Sequence, residues 1–243
     1  MSLSTASEAV ILAAGNGVRL SEASDLPKPL IPVVDRALLD YIVAALHAGA
    51  VRRLHIVTGH RGDDIRRHVE AAPRGLEVNW IDNPRYLRPN GLSLLAAAGH
   101  VESPFVLLMA DHLFEPGTLI RFLGQPAPPD GGLLAVDPKL DKIFDLADAT
   151  KVSTRGRFVE RLGKGLENYD AVDTGMFLLS PAVFDAMQSS VEAGDESLSG
   201  GMNELARRGG LLACDIGAGR WVDVDTPEAW AHAQRLAAGG VFG

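Results

Sequence analysis

Between residues 9 and 110 the chain alternates short apolar runs with stretches of helical spacing, and this alternation limits the fold more than any other feature. Residues 9–14 form an apolar run that stops at Gly15, as a strand buried on both faces of a parallel sheet would. Residues 38–48 (LLDYIVAALHA) repeat apolar side chains at helical intervals and stop at Gly49. Residues 54–58 and 77–81 read as further strands. Residues 63–72, with Asp63 and Asp64 where the helix dipole favours them, and 91–99 read as helices. Residues 105–110 are the most apolar run and end at Asp111. Strand and helix in strict alternation predict a mostly parallel sheet with right-handed crossovers.

The second half is less regular. Residues 125–132 are a Pro/Gly break, 133–136 a strand, and 150–153 with 157–161 a hairpin around Thr154-Arg155-Gly156. A strand at 176–179 leads to a helix at 181–190 that has proline at its first position. Residues 189–201 are small and polar and are expected to form a mobile loop. Strands at 211–214 and 220–224 and a helix at 226–237 complete the chain. The 243 residues, 47% hydrophobic, suit one α/β domain with a large core. Residues 1–8 are expected to be disordered or a cloning remnant.

The formal charge of -8, from 23 basic and 31 acidic residues, speaks against a nucleic-acid-binding surface. It leaves room for a small basic pocket suited to a phosphorylated small molecule. Cys214 is the sole cysteine, which excludes an internal disulfide and a cysteine zinc site and fits a reducing cytoplasm. The opening MSLSTASE lacks the basic region of a signal peptide. No run approaches the roughly 18 apolar residues of a membrane span, so no membrane insertion is expected.

Ligands of a parallel sheet bind beyond the carboxyl ends of its strands. Leu12-Ala13-Ala14-Gly15-Asn16-Gly17 lies at such an end and is followed by Arg19. Glycines there bare backbone N–H groups that can wrap a phosphate, and an arginine adds bidentate contacts. An ordinary strand-to-helix turn with a surface arginine is the alternative. Leu20 stands where a dinucleotide fingerprint needs a third glycine, and the Gly-Lys-Ser/Thr of the NTPase phosphate loop is missing. Downstream, Pro27, Pro29 and Pro32 place three prolines in six positions and stiffen the backbone around Lys28. A lysine so supported suits a cation beside a polyanion.

LAAGNGVRL followed by LPKPLIPV resembles the signature of nucleotidyltransferases that join a sugar phosphate to an NTP. The resemblance implies an α/β, Rossmann-like three-layer α/β/α (GT-A-like) fold with a mostly parallel central mixed sheet. It implies that Gly15, Gly17 and Arg19 hold the NTP phosphates and that Lys28 balances transition-state charge. Asn90-Gly91-Leu92-Ser93, MADH at 109–112 and GKGLENYDAVDTG at 163–175 are similar to the CTP:inositol-1-phosphate cytidylyltransferases, over about residues 10–230.

Carboxylates at strand ends complete the expected site. Uniting a nucleotide and a phosphate brings two polyanions together, so Mg²⁺ is expected, held by oxygen ligands. Asp111 is the first candidate, with a capping aspartate as the alternative. In WVDVDTPE, strand alternation puts Asp223 and Asp225 on one face, and Asp225 alternatively caps the following helix. The relatives carry a metal-binding aspartate in Trp-x-Asp, which ranks Asp223 above Asp225. His112 reads as a packing or supporting residue, because a phosphate nucleophile is already ionised. Lys164, Asp173 and Gly175 are the expected acceptor contacts; a solvated lysine and a strand-capping aspartate are the plain alternatives. The nucleotide base is expected near Ala13, Asn90, Gly91 and Ser93. The reaction expected is CTP with inositol 1-phosphate, giving CDP-inositol and pyrophosphate. Another NTP or acceptor, and a non-catalytic nucleotide sensor, remain as rivals.

Overall fold

A computed structural model describes residues 6–20, 24–72, 75–126 and 128–243. The first strand, β1 (Glu8–Ala13), is followed by a small hairpin of β2 (Pro32–Val33) and β3 (Arg36–Ala37). Then come α1 (Leu38–Ala48), β4 (Arg53–Thr58), α2 (Gly62–Ala71), β5 (Glu77–Asp82), α3 (Gly91–Ala96) and β6 (Phe105–Met109). These match the expected alternation to within a few residues. The expectation that residues 1–8 lack order is corrected for 6–8. Glu8 already pairs in β1, opposite both Arg53 and Phe105, and Ala6 is buried against the core. Residues 1–5 lie outside the described residues.

The second half is β7 (His112–Phe114), α4 (Pro116–Leu123), β8 (Gly132–Asp137), β9 (Lys151–Arg155), β10 (Phe158–Gly163) and β11 (Ala171–Leu179). After it come α5 (Ala182–Glu192), α6 (Leu198–Arg207), β12 (Leu211–Asp215), β13 (Trp221–Asp223) and α7 (Pro227–Ala238). The main sheet has the order β5-β4-β1-β6-β11-β8-β12-β10-β9. β4, β5, β1 and β6 pair in parallel, as do β8 and β12, while β11 and β10 run against the shared direction.

Strand alternation divides the core into two layers. Ala9, Ile11 and Ala13 of β1 face Leu39, Ile42 and Leu46 of α1 and Leu119 and Phe122 of α4. Val10 and Leu12 face Leu94 of α3, Val183 of α5 and Met202 and Leu205 of α6. The mixed sheet sandwiched by helices is the three-layer α/β/α arrangement. A third cluster joins Leu20, Ile31, Val33, Leu113, Val222 and Val224 to Ala233 of α7. It welds the hairpin, β7, β13 and α7 to the edge where the site lies.

The mobile loop expected at 189–201 is a correction. α5 continues to Glu192 and α6 begins at Leu198, so the connection is short. Ser197 caps α6 by accepting a hydrogen bond from Gly200 N at 3.0 Å. Gly201 is small because a Cβ there would lie 2.5 Å from Met187 Sδ of α5. The polar, small composition reflects close helix packing rather than a loop. Two further elements, β7 and α4, lie between the apolar strand and the Pro/Gly break, and the strand expected at 176–179 begins at Ala171.

Candidate active site

The chain leaves β1 at Ala13 and turns through Ala14 to Gly17 into a single 3₁₀ turn, Val18–Leu20. Leu12, Ala13 and Ala14 are buried, so they can offer a ligand only backbone. Gly17 has φ +59°, and a Cβ on it would stand 2.8 Å from Lys28 Cβ. Glycine is therefore required twice over, by conformation and by the approach of Lys28. Gly15 has no heavy atom within 4 Å of an added Cβ among the described residues. Its bare backbone faces open space, beside exposed Asn16.

Lys28 starts a 3₁₀ turn between Pro27 and Pro29, and its side chain is 10% exposed. The ammonium donates to Asp111 Oδ2 at 2.7 Å and also to Asp225. Arg19 pairs with Asp225 and, at 2.9 Å, with Asp148. Asp225 does not cap α7. Thr226 does, accepting from Ala229 N at 3.1 Å. β13 ends at Asp223, so Asp225 lies past the strand, although both carboxylates line the same cleft.

Asp111 follows β6 after Ala110, and His112 opens β7 opposite Asp223 in β13. His112 Nδ1 lies 2.7 Å from Asp111 Oδ1 and 3.8 Å from Asp223 Oδ1. The Trp221 ring stacks on the imidazole at 5.9 Å and 8° and donates its N–H to Asp137 Oδ2 at 3.0 Å. Burial opposes a charge on Asp111, but the Lys28 ammonium and His112 outweigh it and hold the carboxyl well below the usual range. Burial also opposes a charge on His112, yet Asp223 and Asp111 push it up to about 9. Asp223 is pushed up, chiefly by burial.

Ligand atoms of Asp111, His112 and Asp223 lie within 4.8 Å of one another. Asp223 Oδ1 is buried and finds no hydrogen-bond partner among the described residues. A buried carboxylate oxygen in that state has room to accept from a water or to bind a cation, and a pair of carboxylates is the donor set a hard divalent ion takes. The residues therefore fit Mg²⁺, with His112 bracing Asp111.

A cleft of about 520 Å³ opens beside this cluster, lined by Asn90, Asp111, Lys164, Asp173, Gly175 and Asp223 among others. Lys164 donates to Asp148 Oδ1 at 2.7 Å. Asp173 Oδ1 accepts from Gly175 N at 2.7 Å, and burial pushes its carboxyl up to about 6. Gly175 has φ +78°, and a Cβ on it would lie 2.7 Å from the His112 ring, so its smallness makes way for the imidazole.

The expected base contacts separate. Asn90 lines the cleft while its Oδ1 accepts from Leu198 N at 3.1 Å. Ser93 is buried and accepts from Asn83 Nδ2 at 2.9 Å. A Cβ on Gly91 would run into Glu196 O, so this glycine is demanded by the α5–α6 connection. Asp148, Asp137 and Trp221 were not among the expected site residues. Trp221 carried a signal in the alternating WVDVD; Asp148 sits in an aperiodic stretch with none.

Residues 9–194 match the MobA-like NTP transferase domain. The bifunctional IPC transferase and DIPP synthase of Rubrobacter xylanophilus is 37% identical over 226 residues, covering 90% of this chain and 49% of that protein. Its namesake from Aquifex aeolicus is 32% identical over 221 residues, with coverage of 90% and 49%. The chain thus spans about half the length of these relatives. The structure of the inositol-1-phosphate CTP transferase from T. maritima superposes with a TM-score of 0.85 at 24% identity, covering 98% of this chain and 99% of that one. UDP-glucose pyrophosphorylase complexed with UDP-glucose gives 0.82 at 15% identity over 96% and 98%. With a strand-end glycine loop, a braced lysine and carboxylates converging on one cleft, and a domain match over most of its length, the chain belongs to the family of MobA-like NTP transferase domains.

Proposed function

We propose that the chain transfers the cytidylyl group of CTP to the phosphate of inositol 1-phosphate, releasing pyrophosphate. One observation carries the reading. Cations from three separate segments, Arg19, Lys28 and Lys164, meet Asp111, Asp148 and Asp225 at the carboxyl end of the sheet. Such a site has charge to hold two phosphorylated substrates side by side. The choice of CTP and inositol 1-phosphate draws on the inositol-1-phosphate CTP transferase from T. maritima, whose name states both.

The triphosphate lies over Gly15 to Arg19, with the base toward Ala13 and Asn90, the one of the expected base contacts whose side chain lines the cleft. Asp111 and Asp223, with Asp225 as the alternative, hold Mg²⁺, which when bound supplies positive charge to the phosphate oxygens. Lys164 orients the acceptor phosphate, and Asp173 accepts hydrogen bonds from cyclitol hydroxyls near Gly175. An acceptor phosphate oxygen attacks the α-phosphorus in line, and the bond to pyrophosphate breaks. Arg19 and Lys28 stabilise the charge that develops. No side chain forms a covalent bond; positioning and electrostatics provide the rate.

The test is pyrophosphate release across the four common NTPs and a panel of phosphorylated polyols, sugars, choline and phosphonates. CTP with inositol 1-phosphate is expected to give the highest kcat/KM. Reaction with UTP or GTP alone would overturn the base assignment. Nucleotide binding without pyrophosphate release from any pair would favour a sensor.

A further inference from the structure

We infer that Asp148 is a positioning residue of the phosphate site, an internal anion that holds Arg19 and Lys164 together until phosphate oxygens take its place. The inference rests on the nucleotidyl-transfer reading above.

Asp148 belongs to residues 138–150, which link β8 to β9 and lie along the cleft. This strap is fixed by contacts that do not involve the Asp148 side chain. Lys139 Nζ donates to Gly217 O at 2.6 Å, and the Phe144 ring stacks on His232 of α7 at 4.3 Å and 13°. Lys151, 7% exposed, donates from Nζ to Ala147 O at 2.7 Å. Lys151 therefore pins the peptide next to Asp148, and Asp145 Oδ1 accepts from Asp148 N at 3.3 Å.

Held in this way, the carboxylate divides its two oxygens. Oδ2 accepts from Arg19 Nη1 at 2.9 Å and Oδ1 from Lys164 Nζ at 2.7 Å. Arg19 comes from the glycine loop and Lys164 from just past β10, so one anion bridges the cations assigned to the two substrates. Two oxygens of a phosphate would make the same pair of contacts. Arg19 and Lys164 are 52% and 57% exposed, and ion pairs so exposed contribute little to stability. The hold on the strap comes from Lys151 and Phe144, which leaves the Asp148 contacts free to exchange. The Lys164 ammonium keeps the Asp148 carboxyl below its ordinary range, so it is ionised at neutral pH and competes with phosphate.

Isothermal titration of the full chain with inorganic pyrophosphate, in the presence of Mg²⁺, tests this. Asp148→Asn and Asp148→Ser are expected to bind pyrophosphate about tenfold more tightly than the unaltered chain, because a competing anion is gone. Asp148→Glu keeps the anion and is expected to stay close to the unaltered chain. Thermal melts of each variant establish that it is folded. Equal or weaker binding by both anion-free variants overturns the role of Asp148 and leaves the nucleotidyl-transfer reading standing. Pyrophosphate bound by no variant and not by the unaltered chain overturns both.

Discussion

Lys28 Nζ stands 2.7 Å from Asp111 Oδ2, although 83 residues separate the two in sequence. Their meeting follows from topology. β1 and β6 are parallel neighbours, so the loop after one and the residue after the other emerge at the same end of the sheet. Gly17 lets Lys28 come close to the loop, and His112 grips the other oxygen of Asp111. The pair is a store of opposite charge that substrates and a cation can separate between them.

Lys28→Ala is expected to leave the fold intact and to lower kcat by about 100-fold or more, the usual effect of losing one preorganised group that stabilises transition-state charge. KM should move far less. Circular dichroism and steady-state pyrophosphate release check both halves. Turnover near that of the unaltered chain would remove Lys28 from the reaction.

Asp223 Oδ1, buried without a hydrogen-bond partner among the described residues, predicts that a divalent cation stabilises the chain even without substrate. A cation that binds the folded state alone adds about 2.7 kcal/mol at a hundredfold excess over Kd. In a domain this size that raises Tm by several degrees. Asp223→Ala should abolish most of the rise, and a chelator should reverse it in the unaltered chain. An equal Tm rise in the variant would place the ion elsewhere.

Asp173 predicts a pH-dependent stability of definite sign. Burial raises its folded value to about 6 from an ordinary 3.8, against a backbone hydrogen bond from Gly175 and the charge of His112, with Asp223 adding to the rise. Below about pH 4 both folded and unfolded chains keep the proton, so there is no effect. Between about pH 4 and 6 the unfolded chain releases it first, and stability falls as pH rises. Above about pH 6 the folded state carries a charge that burial disfavours. Asp173→Asn keeps an oxygen for Gly175 N and removes that charge. Its Tm should exceed that of the unaltered chain at pH 7, with the gap closing by pH 4. A gap that widens toward low pH would contradict this.

Much of the site could be read in advance because its residues end apolar strands. Gly15 and Asp111 break runs that only a buried sheet explains, and Asp223 alternates with buried Val222 and Val224. What stayed hidden depends on partners far away in sequence. Asp148 meets Arg19 across 129 residues from a segment with no period. The small, polar composition of residues 189–201 suggests a mobile loop, yet the run holds the end of α5 and the first turn of α6, where Asp195, Ser190 and Met187 crowd the space that side chains at Gly200 and Gly201 would fill. Gly91 and Ser93 fall in a motif that suggests a base pocket, yet one is shaped by Glu196 and Met187 and the other by Asn83. Local composition cannot distinguish a glycine that faces a ligand from one that faces a neighbouring helix.

The two loop glycines test that distinction directly. Gly17 has φ +59° and would set a Cβ 2.8 Å from Lys28 Cβ, whereas Gly15 is not in the left-handed region and meets nothing within 4 Å among the described residues. Gly17→Ala therefore carries a left-handed penalty of roughly 1–2 kcal/mol plus a clash with the lysine. In a domain of this size it should lower Tm by at least about 2–4 °C per kcal/mol and lower kcat by displacing Lys28. Gly15→Ala should melt with the unaltered chain, because its backbone adopts the required conformation with a Cβ in place. If the space beside Gly15 belongs to the triphosphate, the added methyl obstructs it, and KM for the nucleotide should rise at unchanged Tm. Thermal melts of both variants set beside their nucleotide KM values decide the matter. A fall in Tm for Gly15→Ala with an unaltered KM would make that glycine structural and move the phosphates away from it.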